Sequence, residues 1–191
     1  MFKNIKLPRV TLRLITHKHG AALLNILNNP LVYEFNDYKA PLNKEHIKQL
    51  IQDDISSYYQ GEGVRLAIEH NISGELIGTC GLYNINNQTK TAYLGFELDP
   101  FYWQQGLMHE VLKGFISEVH SSLNIEHLYA EIHGKNVRCY NLLTKSGLPF
   151  RTFHGIKLGL KTNNKLNCPF SHRLPRSPPT VKIEPNGDEK I

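Results

Sequence analysis

At 191 residues the chain has the size of one ordinary domain, and 40% hydrophobic with 20% charged residues is the make-up of a globular protein. No run approaches the ~20 apolar residues of a membrane span, and the opening MFKNIKLPRVTLRL lacks the continuous apolar stretch of a secretory signal. Three cysteines (Cys80, Cys139, Cys168) at no metal-ligand spacing suit a reducing compartment, so a cytoplasmic enzyme or binding module is expected.

The net charge of +5 raises the local concentration of anionic ligands without choosing among them. Much of the excess sits at the ends, in Lys3, Lys6, Arg9 and Arg13 and again in Lys157, Lys161, Lys165, Arg173 and Arg176. Such charges read as solvated termini rather than a recognition stripe, and nucleic acid is not the expected partner. The ten histidines are scattered; His17/His19 and His127/His133 lack cysteines or carboxylates at ligand spacing, so no metal is expected.

In chain order, branched and long apolar residues alternate with Thr11 and Arg13 and predict a strand over 10–15. Ala21, Leu24 and Leu27 recur at helical spacing within 18–28, and Asn29-Pro30 ends that helix. Asn43 is a plausible N-cap for a second helix, whose buried stripe is Ile47, Leu50, Ile51, Ile55 and Tyr58 and which the glycines 61 and 63 close. The period then changes to two. Strands over 64–70 and 75–83 flank a hairpin turn at 71–74, a second turn is expected at 84–87, and a third strand runs over 91–98.

Asp99-Pro100 stops that strand. Met108, Val111, Leu112, Phe115, Ile116 and Val119 share one helical face, which predicts a helix of about three turns. A strand over 125–133 follows, then a helix over 136–146 with Gly147 as its left-handed cap. The order β-α-α-β-β-β-α-β-α implies an α/β (α+β) fold on a mixed, mostly antiparallel sheet flanked by helices. One domain over 1–174 is expected, with weak strands over 149–158 and 166–174, and a Pro-rich, charged tail over 175–191 that reads as disordered.

The stretch TAYLGFELDPFYWQQGLMHEVLKGFISE is a strand, a short turn and a helix start. Amides at a helix start have no intrahelical partner and face the positive end of the dipole, so a diphosphate suits the place. Gly106 would let the main chain approach phosphate oxygens closely, although a glycine there also makes a tight turn with no ligand at all.

The same stretch resembles the central motif of the GNAT superfamily of acyl-CoA N-acyltransferases. The closer likeness is to the branch with the RimJ/RimL-type protein N-terminal acetyltransferases. The matching residues are Ala92, Leu94, Gly95, Phe96, Leu98, Asp99, Pro100, Tyr102, Trp103, Gly106, Met108 and Glu110. Downstream, Asn136, Cys139, Leu142, Leu143, Lys145, Gly147 and Leu148 stand where that branch has N-x-x-S-x-x-[VL]-L-x-K-x-G-F. Two motifs in the right order are more specific than either alone.

The resemblance implies acetyl-CoA as co-substrate and a primary amine as acceptor, a protein N-terminus or a small amine. The diphosphate would lie on the amides of Gln104, Gln105, Gly106, Leu107 and Met108. Pantetheine would add alongside Phe96, Glu97 and Leu98 like an extra strand. The thioester would reach a central gap where the fourth and fifth strands, 91–98 and 125–133, splay apart, with Asn136 near it. Direct attack by the neutral amine needs a base, an oxyanion donor and an acid for the thiolate. Glu97 is the preferred base, Glu131 the second and His133 behind it, while Cys139 replaces the family's suspected serine acid; Glu97 also reads as a solvated strand residue and Cys139 as a small buried hydrophobe. Tyr140 is expected to pack in the core. The chain departs from the family after Leu148, so the rival readings are a GNAT-like CoA-binding module without activity and, further off, a basic nucleic-acid-binding protein. A monomer or homodimer is expected.

Overall fold

A computed structural model of the chain describes residues 3–36, 38–133, 135–146, 152–153 and 156–163. Eight strands form one sheet: β1 (Ile5–Lys6), β2 (Val10–Leu14), β3 (Val64–His70), β4 (Leu76–Asn86), β5 (Thr91–Leu98), β6 (His127–His133), β7 (Thr152–Phe153) and β8 (Ile156–Asn163). Five α-helices accompany them among the described residues: α1 (Gly20–Leu27), α2 (Pro30–Tyr33), α3 (Lys44–Gln60), α4 (Leu107–Ser122) and α5 (Val137–Lys145). The strand order is β1-β2-β3-β4-β5-β6-β8-β7. Neighbours from β1 to β5 run antiparallel, as do β7 and β8, whereas β5–β6 and β6–β8 are parallel. A parallel pair needs a crossover, and α4 supplies it between β5 and β6.

The core lies on both faces of the sheet. On one, Val111, Leu112, Phe115, Ile116 and Val119 of α4 pack against Leu12, Leu66, Ile68, Leu82, Leu94 and Leu128. On the other, Leu23, Ile26 and Leu27 of α1 and Ile47, Leu50 and Ile51 of α3 close over Ala67 and Leu76. The first five residues of β3 are therefore buried whichever way they point, which is how parallel-sheet strands and doubly covered strands alike read as unbroken apolar runs.

Several boundaries differ from expectation, each for a local reason. Asn29-Pro30 ends α1 and also starts α2, since the Asn29 side chain accepts from the Leu31 amide at 3.0 Å and proline is at home in a first turn. Most of the turn expected at 84–87 is instead the end of β4, which runs to Asn86. Asn84 takes a left-handed φ of 50° at a register shift between Tyr83 and Asn86, a bulge that asparagine tolerates, and the reversal moves to 87–90. There Asn86 Oδ1 accepts from the amides of Gln88 and Thr89. Helix α4 has 16 residues, longer than the expected three turns. The stretch expected as one strand over 149–158 contains the short β7 and the start of β8. The cap at Gly147, the strand over 166–174 and the tail from 175 lie outside the described residues.

The Asn43 cap is present and reciprocal: its Oδ1 accepts from the His46 amide at 2.9 Å while His46 Nδ1 accepts from the Asn43 amide. Gly61, at φ +73°, ends α3 in the left-handed conformation.

Candidate active site

Strand β5 lies between two different neighbours. On the β4 side the ladder runs the whole length to Leu98. On the β6 side it stops at the pair Leu94↔Ala130. Residues 95–98 thus have an edge facing a gap, the central splay anticipated between 91–98 and the following strand. Asp99 then accepts from the Phe101 amide and caps a single 3-10 turn, Pro100–Tyr102. Trp103 folds back, its indole N–H donating to the Leu98 carbonyl at 2.7 Å. Gln104 and Gly106 both adopt positive φ, +61° and +74°. The Gln104 conformation carries the strain of a side chain in the left-handed region, a cost that clusters at functional turns.

Gly106 is the N-cap of α4 and has no side chain with which to cap it. The amides of Leu107, Met108 and His109 therefore open outward without an intrahelical acceptor. Asn136, by contrast, spends its side-chain oxygen on its own helix, accepting from the Cys139 amide at 3.0 Å.

These parts surround a cavity of about 460 Å³. Its walls include Phe96, Glu97 and Leu98 from β5, Gln104, Gly106, Leu107 and Met108 from the turn, and Asn136 and Cys139 from α5. Residues separated by some 40 positions in the sequence are thereby brought to one place. Two expected residues fall elsewhere. Gln105 does not line the cavity; its side chain donates to the Phe101 carbonyl and its own carbonyl accepts from Arg9. Glu131 does not line it either, because alternation on β6 points Leu128, Ala130 and Ile132 into the α4 core and leaves Glu131 on the opposite face. His133 is also outside the lining; its ring stacks on Phe35 at 5.5 Å and its Nδ1 accepts from the Lys135 amide.

Glu97 is buried at 7% exposure within a polar cluster that sequence reading missed. Thr79 donates its hydroxyl to Glu97 Oε2, and Arg65 Nη2 lies 3.4 Å from the same oxygen. The other arm of the guanidinium donates to Asp54 Oδ2 of α3 at 3.1 Å. Burial of a guanidinium at 2% exposure is tolerable only with such partners. The signal was Arg65 itself, a lone charge inside the apolar run Val64–Ile68, which had to find carboxylates across the sheet.

Cys139 is pressed against the α4 core, and burial pushes its thiol up to about 12. It stays protonated at neutral pH, able to donate an S–H bond but only weakly acidic. Tyr140 does not pack in the core: α5 turns Cys139, Leu142 and Leu143 inward, and Tyr140 falls off that stripe at 44% exposure.

The cavity has a further wall in the 29–43 segment, where sequence reading expects acceptor specificity without naming residues. Leu31, Val32, Phe35 and Asn36 form its wall on the α2 side. Glu34 reaches across to Arg138 Nη2 at 2.9 Å, and the same guanidinium sits 4.7 Å over the Trp103 ring. Arg138 and Lys145 give the lining a cationic side. Open amides at a side-chain-free helix start, an unpaired strand edge and basic residues together fit an extended ligand with a diphosphate. Among the described residues no group of three or more His, Cys, Asp or Glu is placed to hold a metal, and no helix is long and apolar enough to cross a membrane.

Residues 9–149 match the acetyltransferase (GNAT) domain family, which covers both motifs and every element of the cavity. The chain belongs to the GNAT acetyltransferase family. It is 30% identical over 150 residues to the uncharacterized N-acetyltransferase YoaA of Bacillus subtilis (strain 168), covering 77% of this chain and 83% of that protein. Among solved structures it is similar to RimL, a ribosomal L7/L12 alpha-N-protein acetyltransferase in complex with coenzyme A, with a TM-score of 0.69 and 19% identity over 78% of this chain and 85% of that one. It is also similar to the microcin C7 self-immunity acetyltransferase MccE in complex with acetyl-CoA and AMP, with a TM-score of 0.66 and 16% identity over 78% and 88% of the two chains. The GNAT chain described here is thus an acetyl-CoA-dependent N-acetyltransferase.

Proposed function

We propose that the protein acetylates the N-terminal amine of a peptide or protein, using acetyl-CoA held between the β5 edge and the start of α4. The observation that carries this reading is one cavity lined together by Gly106, Leu107 and Met108 at the start of α4, by Phe96 and Leu98 beyond the end of the β5–β6 ladder, and by Glu97. Its support from elsewhere is the likeness of fold to RimL, which acts on a ribosomal protein.

Acetyl-CoA supplies the activated acetyl group as a thioester. The amides of Leu107 and Met108, with Gly106 leaving them uncovered, would hold its diphosphate. Phe96 and Leu98 offer main-chain groups along the gap; the Leu98 carbonyl already accepts from Trp103, so its second lone pair is what remains. An N–H on this edge stabilises the negative charge that develops on the carbonyl oxygen during attack.

Glu97 binds the incoming amine and takes its proton, directly or through one water. A peptide α-amine, with an ordinary pKa of about 8, asks little of the base. Thr79 and Arg65 fix the carboxylate so that it meets the acceptor in one orientation. Of the two carboxylates considered, Glu97 is favoured over Glu131 because it lines the cavity. Cys139 donates an S–H bond toward the departing thiolate without surrendering its proton. Leu31, Val32 and Phe35 give the acceptor side an apolar wall suited to the first side chain of a peptide.

The test is a mass-shift panel: peptides that differ in their first residue, the same peptides with blocked α-amines, and polyamines, each with acetyl-CoA. Acetylation confined to free α-amines is expected. Turnover of polyamines with none on any peptide would overturn the acceptor assignment.

A further inference from the structure

Arg9 lies at the start of β2, nearly a hundred positions before the turn, and sequence reading counts it among the solvated terminal charges. The structure gives it three tasks at once. Its amide donates to Glu110 Oε1 at 2.9 Å and its Nε to Glu110 Oε2 at 2.7 Å, so both carboxylate oxygens are held by one residue. Its Nη1 donates to the Gln105 carbonyl at 2.8 Å. Its Nη2 lies beside Gly106, 3.7 Å from where a Cβ would stand.

Glu110 occupies the first turn of α4. A carboxylate there is favourable to the bare helix, because the dipole is positive at that end. The same charge opposes any anion approaching the outward amides of residues 107–109. Gln105 sits between two left-handed residues, Gln104 and Gly106, so its peptide orientation decides which way the neighbouring amides face.

We propose that Arg9 is a positioning residue for the diphosphate of CoA: it neutralises Glu110 at the head of α4 and locks the Gln105 carbonyl away from the ligand. This rests on the reading of the turn as the diphosphate site. The ligand then meets a turn already in its binding shape, and less affinity is lost to ordering. The guanidinium also adds positive potential beside Gly106.

The test compares Arg9→Gln, Arg9→Lys and the double variant Arg9→Gln/Glu110→Gln, with CoA affinity measured by calorimetry and the ligand-free melting temperature recorded for each. Arg9→Gln should weaken CoA about tenfold, within the range a charge at a helix start commands. Arg9→Lys, which keeps the charge without the fork, should lose less. Removing Glu110 as well should restore at least about threefold of the lost affinity, since the opposing charge is then gone. A clip with only structural value predicts the reverse, a double variant that binds no better than Arg9→Gln, and that result would overturn the proposal. Wild-type protein that binds CoA while all three variants bind equally well would overturn it alone. Wild-type protein that fails to bind CoA would overturn it together with the proposed function.

Discussion

Leu94 of β5 and Ala130 of β6 are the last residues the two strands share, and both are buried against α4. On β5 the ladder with β6 ends at this pair, and Phe96, Glu97 and Leu98 beyond it line the cavity. The residues that follow Leu94 can serve a ligand because the residues up to it are held firmly by two neighbouring strands.

The turn after the gap depends on one missing Cβ. Gly106→Val places a branched side chain at φ +74° and costs about 1–2 kcal/mol in backbone strain. It also covers the amides at the head of α4. A loss of at least about tenfold in CoA affinity, with melting lowered by only a few degrees, is expected from calorimetry and thermal unfolding. Unaltered affinity would remove the turn from the cofactor site.

Glu97 and Arg65 should fail in different ways. Glu97→Gln keeps the shape and the Thr79 contact but cannot take a proton, so kcat should fall by about 100-fold with little change in the KM for acetyl-CoA. Arg65→Met leaves the buried Asp54 and Glu97 without their guanidinium and should destabilise the fold by about 3–5 kcal/mol in denaturant titration. A fully stable Arg65→Met would mean that the cluster is wetter than its burial indicates.

Cys139 should be slow to alkylate. With its thiol pushed up to about 12 by burial, almost no thiolate exists at pH 8, and the rate of iodoacetamide labelling should stay low until well above pH 9. Cys139→Ser, with a stronger hydrogen-bond donor, should match or exceed the wild-type kcat. Rapid labelling at neutral pH would contradict a half-buried, protonated thiol.

Acid should weaken the fold in two stages that begin at His19 and Glu69. Burial lowers the His19 pKa from its ordinary 6.5, helped by the charge of Lys18. The Thr16 amide donates to Nδ1, which requires the neutral ring, and Nε2 faces Glu69 Oε1 at 3.1 Å. The unfolded chain then binds a proton more readily than the folded one, so stability falls as the pH drops below about 6.5 and levels once the folded value is passed. Burial would raise Glu69 above its ordinary 4.5, but hydrogen bonds from Lys18, His19 and Arg13 outweigh it and lower the value. Its contribution is present above 4.5 and is lost as the pH falls through the folded value. Chemical denaturation between pH 3 and 8 should show both losses, and His19→Gln should abolish the upper one.

What the sequence disclosed was local. The α3 stripe and its Asn43 cap, the strand Thr91–Leu98 and the helix start after Gly106 follow from spacing and capping chemistry within a few residues. What it concealed depends on distant partners. Asn84 to Asn87 carries turn chemistry, yet pairing with β5 draws Asn86 into the sheet opposite Thr91. The partners of Arg65 are 11, 14 and 32 positions away, and those of Arg9 are 96 and 101 away. A single sequence announces that a buried charge needs company; it does not say whose.

Trp103 is the chain's one tryptophan, and its indole is wedged between the Leu98 carbonyl and the Arg138 guanidinium at the edge of the cavity. The protein therefore carries its own optical probe at the point of interest. Intrinsic emission excited at the indole band reports from that spot with no other indole to dilute it, so occupancy can be followed in unlabelled material and in real time.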